Sequence, residues 1–392
     1  WGTPPLVDRV LKNSEEYKVP NSTAEQLWKF METDLTEAIT SGKLTSKTSL
    51  EDRDGGTRAT LEAARCLLGK IYLYQEKYTD AKSELEKVIS SGKYDLIADV
   101  STFYHPASAG CKEYVLECVR HYDPSNMYSQ EGWFGILANW GFGYGFIAGP
   151  EASMHYKFNT TSGYSYFNPS KSLYDAFVAE EGADGYRLNA WIRTWEQVIA
   201  MNIAVNTTTN KYASEGYFRL KWLASTDDEF VGYWCGNQSN TPVIRYADVL
   251  LMAAEACLQA GDQAGADEYL GRVRDRARLP RKSHVTLSDI KLERRLELAM
   301  EGMRFQDLKR WGDAPAVLAD KGKKLPTFQI VPDPNNDLTT AAGIYNARYT
   351  TKTTYVDNEK SLAGWTPNRD EWLPFPENEL EVNSNLKQNP GY

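Results

Sequence analysis

The chain has 392 residues, 42% of them hydrophobic and 25% charged, an ordinary globular balance with material for one large core or two smaller ones. Its formal net charge of −9 argues against nucleic acid as a partner, because phosphate binding needs a basic surface. No apolar run approaches the roughly 18 residues of a membrane-spanning helix.

The opening "WGTPPLVDRV" has no Met, charged n-region or apolar h-region, so it predicts no signal peptide and is expected to lie inside a longer polypeptide. Residues 22–40 predict a helix: Ser22 and Glu25 have capping-box spacing, and Leu27, Met31, Leu35 and Ala38 form a helical stripe. Residues 60–94 then read as a helical hairpin. Leu68, Gly69, Tyr72, Ala81 and Leu85 have the spacing of a tetratricopeptide repeat. Small residues at 69 and 81 let two antiparallel helices approach, and Tyr72 and Leu85 fill the space around them. A second hairpin is predicted at 247–280, where Ala254, Ala266 and Leu270 take the places of Gly69, Ala81 and Leu85, and Cys257 replaces the tyrosine. Two unrelated hairpins are the plainer alternative. Repeats of this kind bury their faces only against stacked neighbours, so helix 22–40 is expected to have a partner upstream of this sequence.

Between the hairpins the character changes. Residues 122–167 hold 13 aromatics in 46 positions, with seven glycines, centred on "EGWFGILANWGFGYGF" at 131–146. A second aromatic stretch, "YFRLKWLASTDDEFVGYWCGNQSNTP", fills 217–242. Neither sustains a helical period, and both predict loops and short strands projecting from a helical scaffold.

A single long helix is predicted at 288–311. Within it "LERRLELAMEGMRFQDLKRWG" (292–312) carries Gly302 near its middle, at a cost of about 1 kcal/mol against alanine. The expected compensation is a neighbouring helix or loop admitted by the missing side chain. Arg304 is expected to pair with Glu301 or Asp307 on the helix surface, and the interleaved charges read as a paired, solvated face and not as catalytic carboxylates.

Metal and redox signals are weak. Cys66, Cys111, Cys118, Cys235 and Cys257 form no CxxC pair, and His105, His121, His155 and His284 form no HExxH. Cys66 and Cys257 read as small core residues, and Cys111 with Cys118 is a possible disulfide on spacing alone. "GFGYGF" lacks the glycine spacing of a dinucleotide fingerprint, and there is no GxSxG or P-loop. No cofactor, metal or catalytic residue is assigned.

Several motifs in one order carry a resemblance: "GTPPLV", "RATLEAARCLLGKIYLY", "VISSGKYDL", "NPSKSLYDAFVAEEGADGYRL", "RYADVLLMAAEA", "VRDRARLP", "ERRLELAMEGMRFQDLKRWG" and the closing "LPFPENELEVNSNLKQNPGY". Together they resemble the SusD/RagB family over most of the chain outside the aromatic stretches. The resemblance implies a mainly α fold, with tetratricopeptide-type hairpins as scaffold and an irregular, loop-rich region facing ligand. It implies a single SusD-like domain over 1–392, scaffold at 22–94 and 247–312, a ligand-facing excursion at 122–242, and an irregular C-terminal segment at 313–392. It also implies a cell-surface lipoprotein of Bacteroidota that binds nutrients, usually glycans, and delivers them to a SusC-like TonB-dependent transporter of the outer membrane. The lipobox cysteine of the family would lie outside this sequence, so a lipid anchor is expected there. The resemblance implies binding and delivery, not catalysis.

The aromatic cluster reads as a sugar platform, in which ring faces cover the apolar side of a pyranose and nearby amides and carboxylates bond its hydroxyls. Trp133, Trp140 and Tyr144 are the first candidates for ligand contact, followed by Tyr164 and Tyr166, because large rings among glycines have few side chains to cover them. The competing reading is that these rings pack loops onto helices. Three alternatives stay open: a peptide-binding member of the same family, a repeat scaffold that binds only proteins, and a helical glycoside hydrolase. The last would need two carboxylates astride a sugar bond, for which Glu131, Asp227, Asp228 and Glu229 are available.

Overall fold

A computed structural model describes residues 1–119, 168–194, 196–197, 215–221, 240–337, 339–340, 343, 348–360 and 363–392. The described part is mainly helical. Helix α1 (Ala24–Thr40) begins one residue later than the sequence pattern suggests. Thr23, not Ser22, is the N-cap, and it exchanges bonds with Gln26, not Glu25. The Ser22 hydroxyl instead accepts the Leu6 amide at 2.9 Å, which removes it from the competition. No residue of α1 is fully buried. Gln75 and Lys77 reach its Glu32 and tie the helix to the first hairpin.

That hairpin is α2 (Leu61–Tyr74) and α3 (Tyr78–Ser90). A side-chain carbon added to Gly69 would fall 2.7 Å from Leu85 Cγ, so the close approach read from the spacing is real. After α3 the chain forms β1 (Tyr114–Cys118), then helices α4 (Lys171–Glu181) and α5 (Tyr186–Trp191), then strands β2 (Ile192–Thr194) and β3 (Tyr217–Arg219). Strand β4 (Thr241–Arg245) runs directly into α6 (Tyr246–Gln259), the most deeply buried helix, which pairs with α7 (Gln263–Arg276) as the second hairpin. Ala254, Cys257, Ala266 and Leu270 are all fully buried there. Helices α2, α3, α6 and α7 share one apolar core.

Two cysteine readings resolve differently. Cys66 and Cys257 are buried core residues, as their helical positions suggest. Cys111 and Cys118 are both free thiols, the first buried and the second exposed at the end of β1. The possible disulfide is therefore not formed.

The predicted long helix is two helices. α8 (Leu287–Glu297) opens on a Thr286–Asp289 capping box, and α9 (Arg304–Arg310) follows after a turn. Met300 (φ 64°) and Gly302 (φ 80°) both take left-handed backbone in that turn. Nothing lies within 4 Å of where a Gly302 side-chain carbon would sit, so the glycine is needed for its dihedral angle and not for a close neighbour. Short helices α10 (Ala314–Val317) and α11 (Glu377–Val382) flank a feature the irregular C-terminal segment did not announce. Strands β5 (Lys324–Pro332) and β6 (Tyr349–Asp357) form a nine-residue antiparallel ribbon. Among the described residues all sheets are antiparallel pairs: β1–β4, β2–β3 and β5–β6.

Candidate functional site

The candidate ligand residues Trp133, Trp140, Tyr144, Tyr164 and Tyr166 lie outside the described residues, as do Glu131, Asp227, Asp228 and Glu229. What the structure describes is the platform from which the two aromatic stretches depart. In the β1–β4 pair, Cys118 lies opposite Thr241, so residue 119 leaves the scaffold beside the point where residue 240 re-enters it. Buried Glu117 joins these roots. It accepts from the Gly110 amide at 2.8 Å and from Asn240 Nδ2 at 3.0 Å, and burial pushes its carboxyl up. The β2–β3 pair makes a second exit, with Thr194 opposite Tyr217. Tyr217 stacks on Tyr174 of α4 at 4.6 Å.

Between these exits lies a buried lattice of ion pairs. Arg245, at the junction of β4 and α6, reaches Glu113 at 2.6 Å, Glu297 at 3.0 Å and Glu301 at 2.6 Å. Arg187 of α5 holds Glu181 at 2.6 Å, Glu293 at 2.5 Å and Glu297 at 3.0 Å. Arg276, at the end of α7, bonds Glu113 and Glu297. Burial opposes ionisation of Glu297, but Arg276, Arg245 and Arg187 outweigh it and hold the carboxyl well below the usual range. Burial likewise opposes ionisation of Glu301, and Arg245 with Lys221 overcomes it. A neighbouring set joins Arg294 to Asp248 at 2.8 Å and to Asp307 at 2.9 Å, and Arg310 to Asp307 at 2.9 Å and to Glu255 at 2.5 Å. The Trp311 indole N–H completes it by donating to Glu255 at 2.9 Å.

These distances correct the surface reading of residues 292–312. Glu297 and Asp307 are buried, and Glu301 turns inward to Arg245 and Lys221. Arg304 makes no ion pair with either Glu301 or Asp307, because both carboxylates are already taken by deeper cations. Glu301 sits in the turn between α8 and α9, flanked by the left-handed Met300 and Gly302. Lys221, near the start of the second aromatic stretch, is anchored here too. Its ammonium donates to the Glu297 carbonyl at 2.9 Å, the Ala299 carbonyl at 3.1 Å and Glu301 at 2.6 Å, and lies 3.8 Å from the Trp191 ring centre. Burial pushes its pKa down to about 8, with Glu301 pulling the other way.

The lattice was missed at the level of sequence, although a signal was present. Ile290, Glu293 and Glu297 fall at helical spacing on one face of α8, so charge there shares a face with a core isoleucine. Chemically the lattice is closed: its carboxylates are engaged by arginines away from solvent, which suits a scaffold and not general acid–base work. The one described group with metal-ligand geometry is Glu86, Cys257 and Asp262. A cation is already supplied there by Lys82, 2.6 Å from Asp262, and burial pushes the Cys257 thiol up to about 12.

The fold and its order of motifs agree with known proteins. The model of the SusD family matches residues 112–392, and the chain belongs to that family. A SusD-like protein of Bacteroides ovatus is 24% identical over 421 residues, covering all of this chain and 70% of the relative. Among solved structures, a laminarin-binding SusD-like protein is 26% identical with a TM-score of 0.70, covering all of this chain and 74% of the other. The surface glycan-binding protein A of Bacteroides thetaiotaomicron, solved in complex with laminarihexaose, shares the fold at 23% identity and a TM-score of 0.70, over 99% of this chain and 74% of that one.

Proposed function

We propose that this chain is a cell-surface glycan-binding protein that captures oligosaccharide and passes it to a TonB-dependent outer-membrane transporter, without cleaving it. The observation that carries the reading is the likeness, over the whole chain, to a laminarin-binding SusD-like protein. The aromatic wealth of residues 122–167 supports it from the sequence side. In this reading the hairpins and the ion lattice are a rigid base, and residues 122–242 form the ligand face. Trp133, Trp140 and Tyr144 supply ring faces, with Tyr164 and Tyr166 next to them. Covering about 100 Å² of apolar surface on one ring gives roughly 2.5 kcal/mol before the costs of binding. Two or three such rings give a modest affinity that lets cargo be released. Anchoring is by a lipid outside this sequence, and no described helix is long and apolar enough to cross a membrane.

Isothermal titration with laminari-oligosaccharides and with other glycans tests the first step. Alanine at a ring of the platform should weaken binding by about 1–3 kcal/mol while leaving the melting temperature nearly unchanged. Alanine at a ring that only packs loops should lower stability and leave the intrinsic affinity alone. Loss of no glycan affinity in any of the five variants would reject the platform, and release of shorter products during incubation would reject the binding-only reading. Co-purification of a large β-barrel from outer membranes tests the delivery step.

A further inference from the structure

Lys221 stands two residues past the end of β3, at the second exit. Its main chain closes onto α5: the Leu220 and Lys221 amides donate to the Trp191 carbonyl at 2.8 and 3.4 Å. Its side chain reaches a different element, the end of α8 and the turn that follows. An ammonium has three N–H donors, and three acceptors meet them here: Glu297 O at 2.9 Å, Ala299 O at 3.1 Å and Glu301 at 2.6 Å. The carbonyls lie at the C-terminal end of α8, where the helix dipole favours a cation. Glu301 is held in turn by Arg245 at 2.6 Å. The Trp191 ring, 3.8 Å from the ammonium, is also pinned, its indole N–H donating to Val100 O at 3.1 Å. Every group that touches the ammonium is therefore itself fixed, and Lys221 has one place to be. Stability alone is a poor reason for it. A buried lysine carries a desolvation cost, and an apolar side chain packed on Trp191 would avoid that cost. What the ammonium adds is a defined position for the chain that leaves β3.

We propose that Lys221 is a positioning residue for glycan binding, its ammonium fixing residues 217–221 against the end of α8 so that the ligand face starts from a set place. The role rests on the reading that residues 122–242 carry that face. A face whose root is already fixed loses less freedom when ligand binds, and affinity rises by the ordering that no longer has to accompany binding. Lys221 does this without touching ligand. Its three bonds join β3 to α8 and to the turn at Met300–Gly302, so the position of the root is referred to the ion lattice and through it to the rigid base.

The test separates affinity from stability. Titration uses the glycan that binds in the panel above, laminarihexaose first. Lys221→Met should weaken binding about tenfold or more. It should also speed hydrogen exchange at the amides of residues 217–221. Leu85→Ala, in the α2–α3 junction, supplies a destabilised control that should keep full affinity. Lys221→Met combined with Glu301→Gln removes one charge of each sign, so it should regain part of the melting temperature lost by Lys221→Met and none of the affinity. A merely structural lysine predicts the opposite, affinity returning together with stability, and that result overturns the proposal. Wild-type affinity in Lys221→Met, or unchanged exchange at 217–221, overturns it too. If Lys221→Met does not fold, Lys221→Gln is measured instead, and undiminished affinity there is equally fatal. A wild-type chain that binds no glycan overturns the proposed function and this role with it, whereas binding that ignores Lys221 overturns this role alone.

Discussion

Between α2 and α3 the helices meet through Gly69, Ala81 and Leu85, an apolar centre with the Arg65–Glu84 ion pair at its margin. Where α5, α7 and α8 converge, the contact is made by Arg187, Arg276, Glu293 and Glu297, which are equally buried. The first junction is stabilised by area removed from water, the second by mutual charge that must offset its own desolvation. An apolar junction tolerates small losses by relaxing. A buried ion lattice does not, because removing one member strands the others. The lattice therefore concentrates its sensitivity in a few residues beside the exits at β1–β4 and β2–β3. Lys221 and Glu301, both fixed in it, link the second exit to the turn after α8.

The contrast can be broken most sharply at Arg245. Arg245→Met leaves Glu113, Glu297 and Glu301 short of a shared cation in a buried site and should cost about 3–5 kcal/mol, read by chemical denaturation. If the loss is below 1 kcal/mol, the lattice is not what holds that junction. Acid should act next. Burial opposes ionisation of Glu297, Glu301 and Asp248, but the cations around them hold all three carboxyls below their ordinary values in the folded chain. Their contribution is fully present above the unfolded carboxylate values and is lost as pH falls through the folded ones. Stability should therefore hold above about pH 5 and decline steeply below about pH 4. A chain in which Arg245 is replaced should show a shallower decline, measured by thermal melts across that range. The smallest effect is expected at Gly302. Gly302→Ala should cost about 1–2 kcal/mol through its left-handed backbone, with no clash. Gly302→Asn should recover part of the loss, since asparagine tolerates that region. Equal losses for both would point to a contact and not to backbone strain.

Local spacing determined a good deal on its own. The repeat hairpins were legible because Gly69, Ala81, Leu85 and their counterparts Ala254, Ala266 and Leu270 recur at intervals that one helix turn dictates, and the motif order announced the family. Helix ends were less legible: Thr23 and Ser22 are both competent caps, and a hydrogen bond from Leu6 decided between them. The candidate sugar-facing rings were named from composition alone, which cannot say what covers a ring. The ion lattice and the ribbon belong to the tertiary structure. Arg245 and Glu113 are 132 positions apart, and Arg187 and Glu297 are 110 apart, so no local period couples them. The turn at Gly302 is a related case. A glycine in a charged, helix-forming run has a local cost of about 1 kcal/mol, too small to end a helix unaided. In the fold the turn coincides with the bonds from Glu301 to Arg245 and Lys221, which form only once distant segments have met.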